Sequence, residues 1–347
     1  MPSIVNMFVK EALDNKSSCP TLDPKRCLNS KQGKARCSAC VEICPGGALL
    51  IPEKGKADWD KCLSCGLCTA VCPSGALGAT DYRLRKAWQM MNDERPVHIL
   101  ACQMASCDAD SKAWCLSSFT WELIAGIALN SRVELVHGDC ENCPRKDKRS
   151  CHEEALERVK LFLGEERFNE QVAVRTAGET VKREVSRREL FGTFIPGARK
   201  KPKNTEETSE SFGTDGQAIR LMLARKMEKL PNQEEKYGWE APNFTENCWA
   251  CGICAKICPN DALRMKEKDG VWRAVCSPVL CTSCGVCEVV CPDGGIDGMR
   301  PVKLPAGKKR IVHRTAAGVC SECGGALKPD SGFDTCLRCR VTKKKKK

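Results

Sequence analysis

The chain has 347 residues, of which 29 % are charged and only 5 % aromatic, and it carries 28 cysteines and a formal charge of +12. So few aromatic residues exclude one large apolar core, and metal must replace part of it. No apolar run approaches the roughly 18 residues of a membrane span, and the cysteines follow metal-ligand spacings rather than a secreted disulfide framework, which points to a reducing cytoplasm.

The first residues, MPSIVNMFVKEALDNKSS, lack a sustained apolar core or a cleavage-like site, and Ile4 to Leu13 suits a short amphipathic helix. The first cysteine region follows. Cys62, Cys65, Cys68 and Cys72 stand at C-x2-C-x2-C-x3-C with Pro73 next. This is the run that binds cubane [4Fe-4S] clusters, three thiolates wrapping one cube and the fourth crossing to a second. The preceding half is irregular: Cys37, Cys40 and Cys44 are followed by Pro45, but Lys34 stands where a first cysteine belongs. One cluster is therefore expected on Cys44, Cys62, Cys65 and Cys68. The other is expected on Cys37, Cys40, Cys72 and Cys27, with Cys19 as the rival fourth ligand and a three-iron cluster or a labile iron if neither reaches.

Residues 96–167 change character. Val97 to Ala101 and Val133 to Val136 read as strands, Ser118 to Leu129 and His152 to Gly164 as helices, an alternation that predicts a small parallel α/β unit. Cys102, Cys107, Cys115, Cys140, Cys143 and Cys151 surround it. Such sheets place sites beyond the carboxyl ends of their strands, where Cys102 and the Cys140/Cys143 pair could converge. A [2Fe-2S] cluster, a redox-active dithiol, zinc and inert packing all remain open for these cysteines. His137 and His152 read as surface or core histidines rather than ligands.

Val172 to Phe194 is helix-like and gives way to RKKPKNTEETSESFGTDG, which has little to bury and reads as a linker. Ser186-Arg187-Arg188-Glu189-Leu190-Phe191 resembles a twin-arginine signal, but it lies mid-chain with no apolar region after it. Ala218 to Leu230 is an amphipathic helix with Ile219, Met222, Leu223 and Met227 on one stripe, suited to docking on its own protein or on a partner.

Two complete cysteine runs come next. Cys248, Cys251, Cys254 and Cys258 precede Pro259, and Cys281, Cys284, Cys287 and Cys291 precede Pro292. With the fourth thiolate exchanged, one cluster takes Cys248, Cys251, Cys254 and Cys291, and the other Cys281, Cys284, Cys287 and Cys258. Leu263 to Val275 reads as a hairpin turning at Asp269-Gly270. Cys276 lies outside both runs, as a packed or hydrogen-bonded neighbour. Residues 241–305 closely resemble the bacterial two-cluster ferredoxins, and residues 1–95 resemble an irregular copy.

Cys320, Cys323, Cys336 and Cys339 form two C-x2-C pairs and resemble a zinc ribbon, for which Zn2+ is favoured over a rubredoxin-like iron. Residues 300–347 hold fourteen Lys and Arg against three acids. Each oxidised cubane on four thiolates carries about −2, so the loaded chain is nearly neutral with a basic end, which weakens a case for nucleic acid. The middle region more weakly resembles the iron-sulfur (delta) subunit of the methyl-viologen-reducing hydrogenase family, on Cys102, Gly138 and Cys140, Cys151-His152 and LFLGEERF. The spacing of Cys140 and Cys143 departs from that family.

The fold class expected is thus α+β multidomain: a ferredoxin-like 2[4Fe-4S] module (1–95), a small α/β domain (96–167), a helical and disordered linker (168–240), a second 2[4Fe-4S] module (241–305), and a zinc ribbon with a lysine tail (306–347). About four filled cubanes and no nucleotide-binding glycine motif imply a conductor without catalytic residues of its own. The leading reading is an electron-transfer subunit between donor and acceptor oxidoreductases, in a complex of the hydrogenase or heterodisulfide reductase kind that the resemblance implies. The alternatives are a disulfide-type reductase using Cys102, Cys140 or Cys143, and a redox-sensing nucleic-acid-binding regulator.

Overall fold

The computed structural model describes residues 19–31, 37–51, 56–78, 89–143, 150–178, 215–228, 237–303, 309–328, 332–336 and 339–340. The helix expected over Ile4 to Leu13 and most of the expected linker lie outside them. Among the described residues no helix is long and apolar enough to cross a membrane.

The two cysteine modules share one plan at different lengths. In the first, strand β1 (Thr21–Leu22) pairs antiparallel with β4 (Leu77–Gly78), and β2 (Leu49–Ile51) with β3 (Lys56–Ala57). Between them stand the short helices α1 (Leu28–Lys31), α2 (Ala39–Glu42) and α3 (Leu67–Val71). In the second module β9 (Tyr237–Phe244) pairs with β12 (Ile296–Lys303), and β10 (Leu263–Lys268) with β11 (Val271–Cys276). The hairpin turns on Asp269 and Gly270 at φ 55° and 73°. Positive φ at both central residues gives the twist that matches flanking strands.

Between the modules lies a parallel sheet in the order β6-β5-β7-β8, with β5 Val97–Cys102, β6 Ser111–Ala113, β7 Arg132–His137 and β8 Val172–Thr176. His98 through Cys102 are all buried, as in a central parallel strand covered on both faces. Helices α4 (Trp121–Ala128), α5 (Ser150–Leu163) and α6 (Glu165–Gln171) connect the strands. Strand β8 corrects the helical reading of Val172 to Phe194. Val172, Val174 and Thr176 are β-branched and the edge of β7 is open to pair with them, so tertiary pairing outweighs the charged stretch that follows. The sheet therefore extends beyond residue 167, where the sequence placed its end.

Helix α7 (Asp215–Glu228) docks within the chain. Ile219, Leu223, Ala224 and Met227 are buried in the same core as α4 and the sheet. That core also takes in Trp239 of β9: Trp121, Phe162 and Trp239 stack edge to face at 5.5 to 6.2 Å. Beyond the second module, β13 (Arg310–Ala316) adds to β11 as the third strand of its sheet. This strand was not among the expected elements. A small ribbon, β14 (Gly318–Val319) with β15 (Ala326–Leu327), follows.

Candidate metal centres

In the first module two sets of four cysteines each surround an open space. Cys44, Cys62, Cys65 and Cys68 line about 360 Å³, and Cys27, Cys37, Cys40 and Cys72 line about 350 Å³. The rival Cys19 lines neither of these spaces. Cys27 arrives on a segment anchored by the β1–β4 pairing and by a backbone hydrogen bond from Asp23 to Ala76 O at 2.8 Å. Asn29, two residues on, clamps Cys37 from both sides. Its Nδ2 donates to Cys37 O at 2.6 Å and its Oδ1 accepts from Cys37 N at 2.8 Å. The other three runs shape this part of the loop with left-handed residues: Ser64 and Gly66, Ala250 and Gly252, Ser283 and Gly285. In the irregular run Ser38, at the position of these glycines, has φ −117°, and Asn29 holds Cys37 from outside the run.

In the second module Cys248, Cys251, Cys254 and Cys291 line a third space of about 350 Å³. Three spaces of nearly one size, each walled by four sulfurs, suit one kind of guest. Cys258, Cys281, Cys284 and Cys287 gather as well. Burial, and after it the charges of Cys281, Cys284, Cys254 and then Cys258, push the Cys287 thiol well up. Cys284 rises to about 11, chiefly by burial. Cys40 is pushed to about 12 by burial and then by Cys72, Cys37 and Cys27, Cys68 to about 12 by burial and then by Cys65, Cys44 and Cys62, and Cys254 to about 12 by burial and then by Cys251 and Cys248. Thiolates so placed raise one another and need a shared cation, the condition that cluster iron meets.

The closing cysteine of every run accepts a hydrogen bond from the amide four residues later. Ala48 N donates to Cys44 Sγ at 3.3 Å, Ala76 N to Cys72 at 3.2 Å, Ala262 N to Cys258 at 3.3 Å and Gly295 N to Cys291 at 3.1 Å. These fixed N–H donors favour charged sulfur. Gly295 has no room for a side chain, since a Cβ would come within 2.9 Å of Cys248 Cα. Cys276 is fully buried, and side-chain hydrogen bonding with it lowers the Cys281 thiol, outweighing the effect of burial.

The middle cysteines form a looser group at the carboxyl ends of β5 and β7. Gly138 N donates to Cys102 Sγ at 3.2 Å, and Cys140 Sγ lies 3.4 Å from His137 Nδ1. His137 Nδ1 also meets Gly138 O at 2.8 Å, so this nitrogen carries the proton. Cys143 is half-buried, and its amide donates to Cys140 O at 3.3 Å. Cys115 packs instead against the core of the first module. In the C-terminal ribbon the sulfurs of Cys320, Cys323, Cys336 and Cys339 all lie within 4.8 Å of one another. Backbone amides of Cys336, Cys323 and Glu322 pull Cys320 down to about 6. That ribbon touches the second module through Lys328 Nζ and Asp293, 2.7 Å apart, and Asp293 also accepts from Trp249 Nε1 at 2.6 Å.

Several polar residues that no ligand spacing marks hold the modules together. Arg220 of α7, 5 % exposed, pairs with Glu122 at 2.8 Å and donates to the carbonyls of Val279, Pro278 and Cys281. Its guanidinium lies 4.4 Å from the centre of the Trp239 ring. Asn260 accepts from Arg26 NH1 and from Gln217 Nε2, each at 3.1 Å, and donates to Thr282 Oγ1 at 3.0 Å. Ser118 Oγ donates to Cys65 O at 2.7 Å. A cleft opens among these segments, with Cys72 on one wall and Thr282 and Ser283 on another.

A family model described as a 4Fe-4S dicluster domain matches residues 35–76 and again residues 247–295. The first match begins after Cys27. Comparison with curated proteins returns no match. With the cysteine geometry of both stretches, the chain carries two 4Fe-4S dicluster regions and has an iron-sulfur electron-transfer role.

Proposed function

We propose that the chain is an electron-transfer subunit holding four [4Fe-4S] clusters, which relays single electrons between a donor and a catalytic oxidoreductase subunit in a multi-subunit complex of a reducing cytoplasm. The observation that carries this reading is the gathering of four cysteines around one shared space, three times over. Cys27 closes the first set in place of the absent cysteine at Lys34. When bound, the clusters supply reversible one-electron chemistry at iron. The chain holds each centre in four thiolates, donates the amide hydrogens of Ala48, Ala76, Ala262 and Gly295 to sulfur, and keeps water away with the buried Leu49, Leu67, Leu77 and Leu263. Four thiolates fill every iron site of a cubane, which leaves no iron open to substrate and favours conduction over turnover.

Anaerobic purification followed by iron, sulfide and zinc analysis tests this. About sixteen irons, four per cubane, with one zinc on Cys320, Cys323, Cys336 and Cys339 is the expected content; eight irons or fewer would sink it. The same measurement tests a further centre in the middle sheet, a [2Fe-2S] cluster on Cys102, Cys140 and Cys143. It would bring iron to about eighteen and give a two-iron signal lost in Cys140→Ser.

A further inference from the structure

We propose that Asn260 and Arg26 form the crossing by which electrons pass between the two modules, from the Cys27, Cys37, Cys40, Cys72 set to the Cys258, Cys281, Cys284, Cys287 set. The proposal rests on the four-cluster reading and adds a route to it. Arg26 adjoins Cys27 in the chain, and Asn260 stands two residues after Cys258 with Pro259 between. The 3.1 Å hydrogen bond from Arg26 NH1 to Asn260 Oδ1 therefore completes a path from one ligand cysteine to another through backbone, the side chains of Arg26 and Asn260, and one hydrogen bond. A branch of the same kind leads from Asn260 Nδ2 to Thr282, the neighbour of Cys281.

Two features set this junction apart from an ordinary surface contact. Asn260 is 4 % exposed and Gln217, which shares its Oδ1, is 6 % exposed, so the bonds are shielded from competing water. Asp23 holds Arg26 by Nε at 3.3 Å and leaves NH1 directed at Asn260. Independently, the interdomain cleft has Cys72 on one wall and Thr282 and Ser283 on the facing segment. Segments carrying ligands of the same two sets thus line one cleft. The other two sets lie outward: one opens beside Trp59 and Leu63, the other beside Trp249 and Ile253.

Electron tunnelling decays less steeply through covalent and hydrogen bonds than across open space, so this bonded bridge outcompetes the cleft beside it. The step moves one electron: the donor centre is oxidised by one and the acceptor centre reduced by one, with no bond broken and no proton transferred. The four centres are then in series, and each electron that travels the whole chain crosses Asn260.

The test uses the full chain with its clusters. A substoichiometric pulse of viologen radical reduces the protein, and absorbance follows the first-order redistribution whose rate does not depend on protein concentration. Asn260→Ala and Arg26→Met are expected to slow that phase severalfold, with iron content, the resonance signal of each centre and the solution-scattering profile unchanged. Thr282→Val, which removes only the branch, is expected to slow it less. An unchanged rate in both Asn260→Ala and Arg26→Met overturns the proposal while leaving the conductor intact. If the wild type carries its irons but shows no concentration-independent phase, the conductor reading itself fails. Should Asn260→Ala lose iron or alter the scattering profile, Arg26→Met decides alone by the same criterion.

Discussion

Cys27 stands apart from the other proposed ligands because it comes from outside its run, and its position depends on Asn29. Cys27→Ser is expected to convert that centre to a three-iron species or to lose it, read by paramagnetic resonance and iron analysis, whereas Cys19→Ser leaves the count unchanged. Cys276 poses a different question. Its thiol hydrogen on Cys281 stabilises extra negative charge on the cluster sulfur, and hydrogen bonds to sulfur are among the terms that set cluster potentials. Cys276→Ala should keep all four clusters and shift one potential downward in a redox titration. His152 offers a pH test. Both its ring nitrogens are buried and without partners, and burial, then His137, pushes it down to about 4. The unfolded chain takes up this proton near the ordinary value of about 6.5. Stability from neutral His152 is therefore complete above that value and is lost as pH falls toward about 4. Denaturant midpoints should decline across this window in the wild type and less so in His152→Phe.

At the scale of elements, α7 is the part that joins the middle sheet to the second module. Its apolar stripe was legible from the spacing of Ile219, Met222, Leu223 and Met227, but Arg220 on the same helix has no local mark of its role. Removing Arg220 leaves Glu122 buried and unpaired, a change that costs about 3–5 kcal/mol, while replacing both partners by apolar residues recovers the Glu122 part of that cost and leaves the carbonyls of Val279, Pro278 and Cys281 unpaired. Arg220→Met alone and with Glu122→Leu, compared by denaturant unfolding, should show that difference. The cysteine runs were readable because three thiolates of a cube come from one short run, whose geometry is written locally, and the spacing and proline that close each run mark the fourth. The hairpin at Asp269-Gly270 was readable for the same reason. Strand β8, strand β13 and the Asn260 junction depend on residues far apart in the chain, and no short window contains them.

Over the whole molecule, the C-terminal ribbon lies against the end of the second module that carries Trp249 and the Cys291 set. The ribbon meets that end through Lys328 and Asp293, which lies two residues beyond Cys291. Chelation of the metal on Cys320, Cys323, Cys336 and Cys339 should therefore disturb the resonance of the Cys291 centre and leave the other three unchanged. Lys328→Ala should make that centre indifferent to the chelator.

The clamp of Asn29 on Cys37 also has a meaning in time, during maturation. Sets whose cysteines sit in regular runs can capture iron and sulfide as soon as their own loops form. The set that includes Cys27 must wait for β1 to pair with β4 and for Asn29 to reach its loop. Because Arg26 adjoins Cys27 on this segment and bonds Asn260, protein in which the segment has not docked is expected to lack the proposed crossing between the modules.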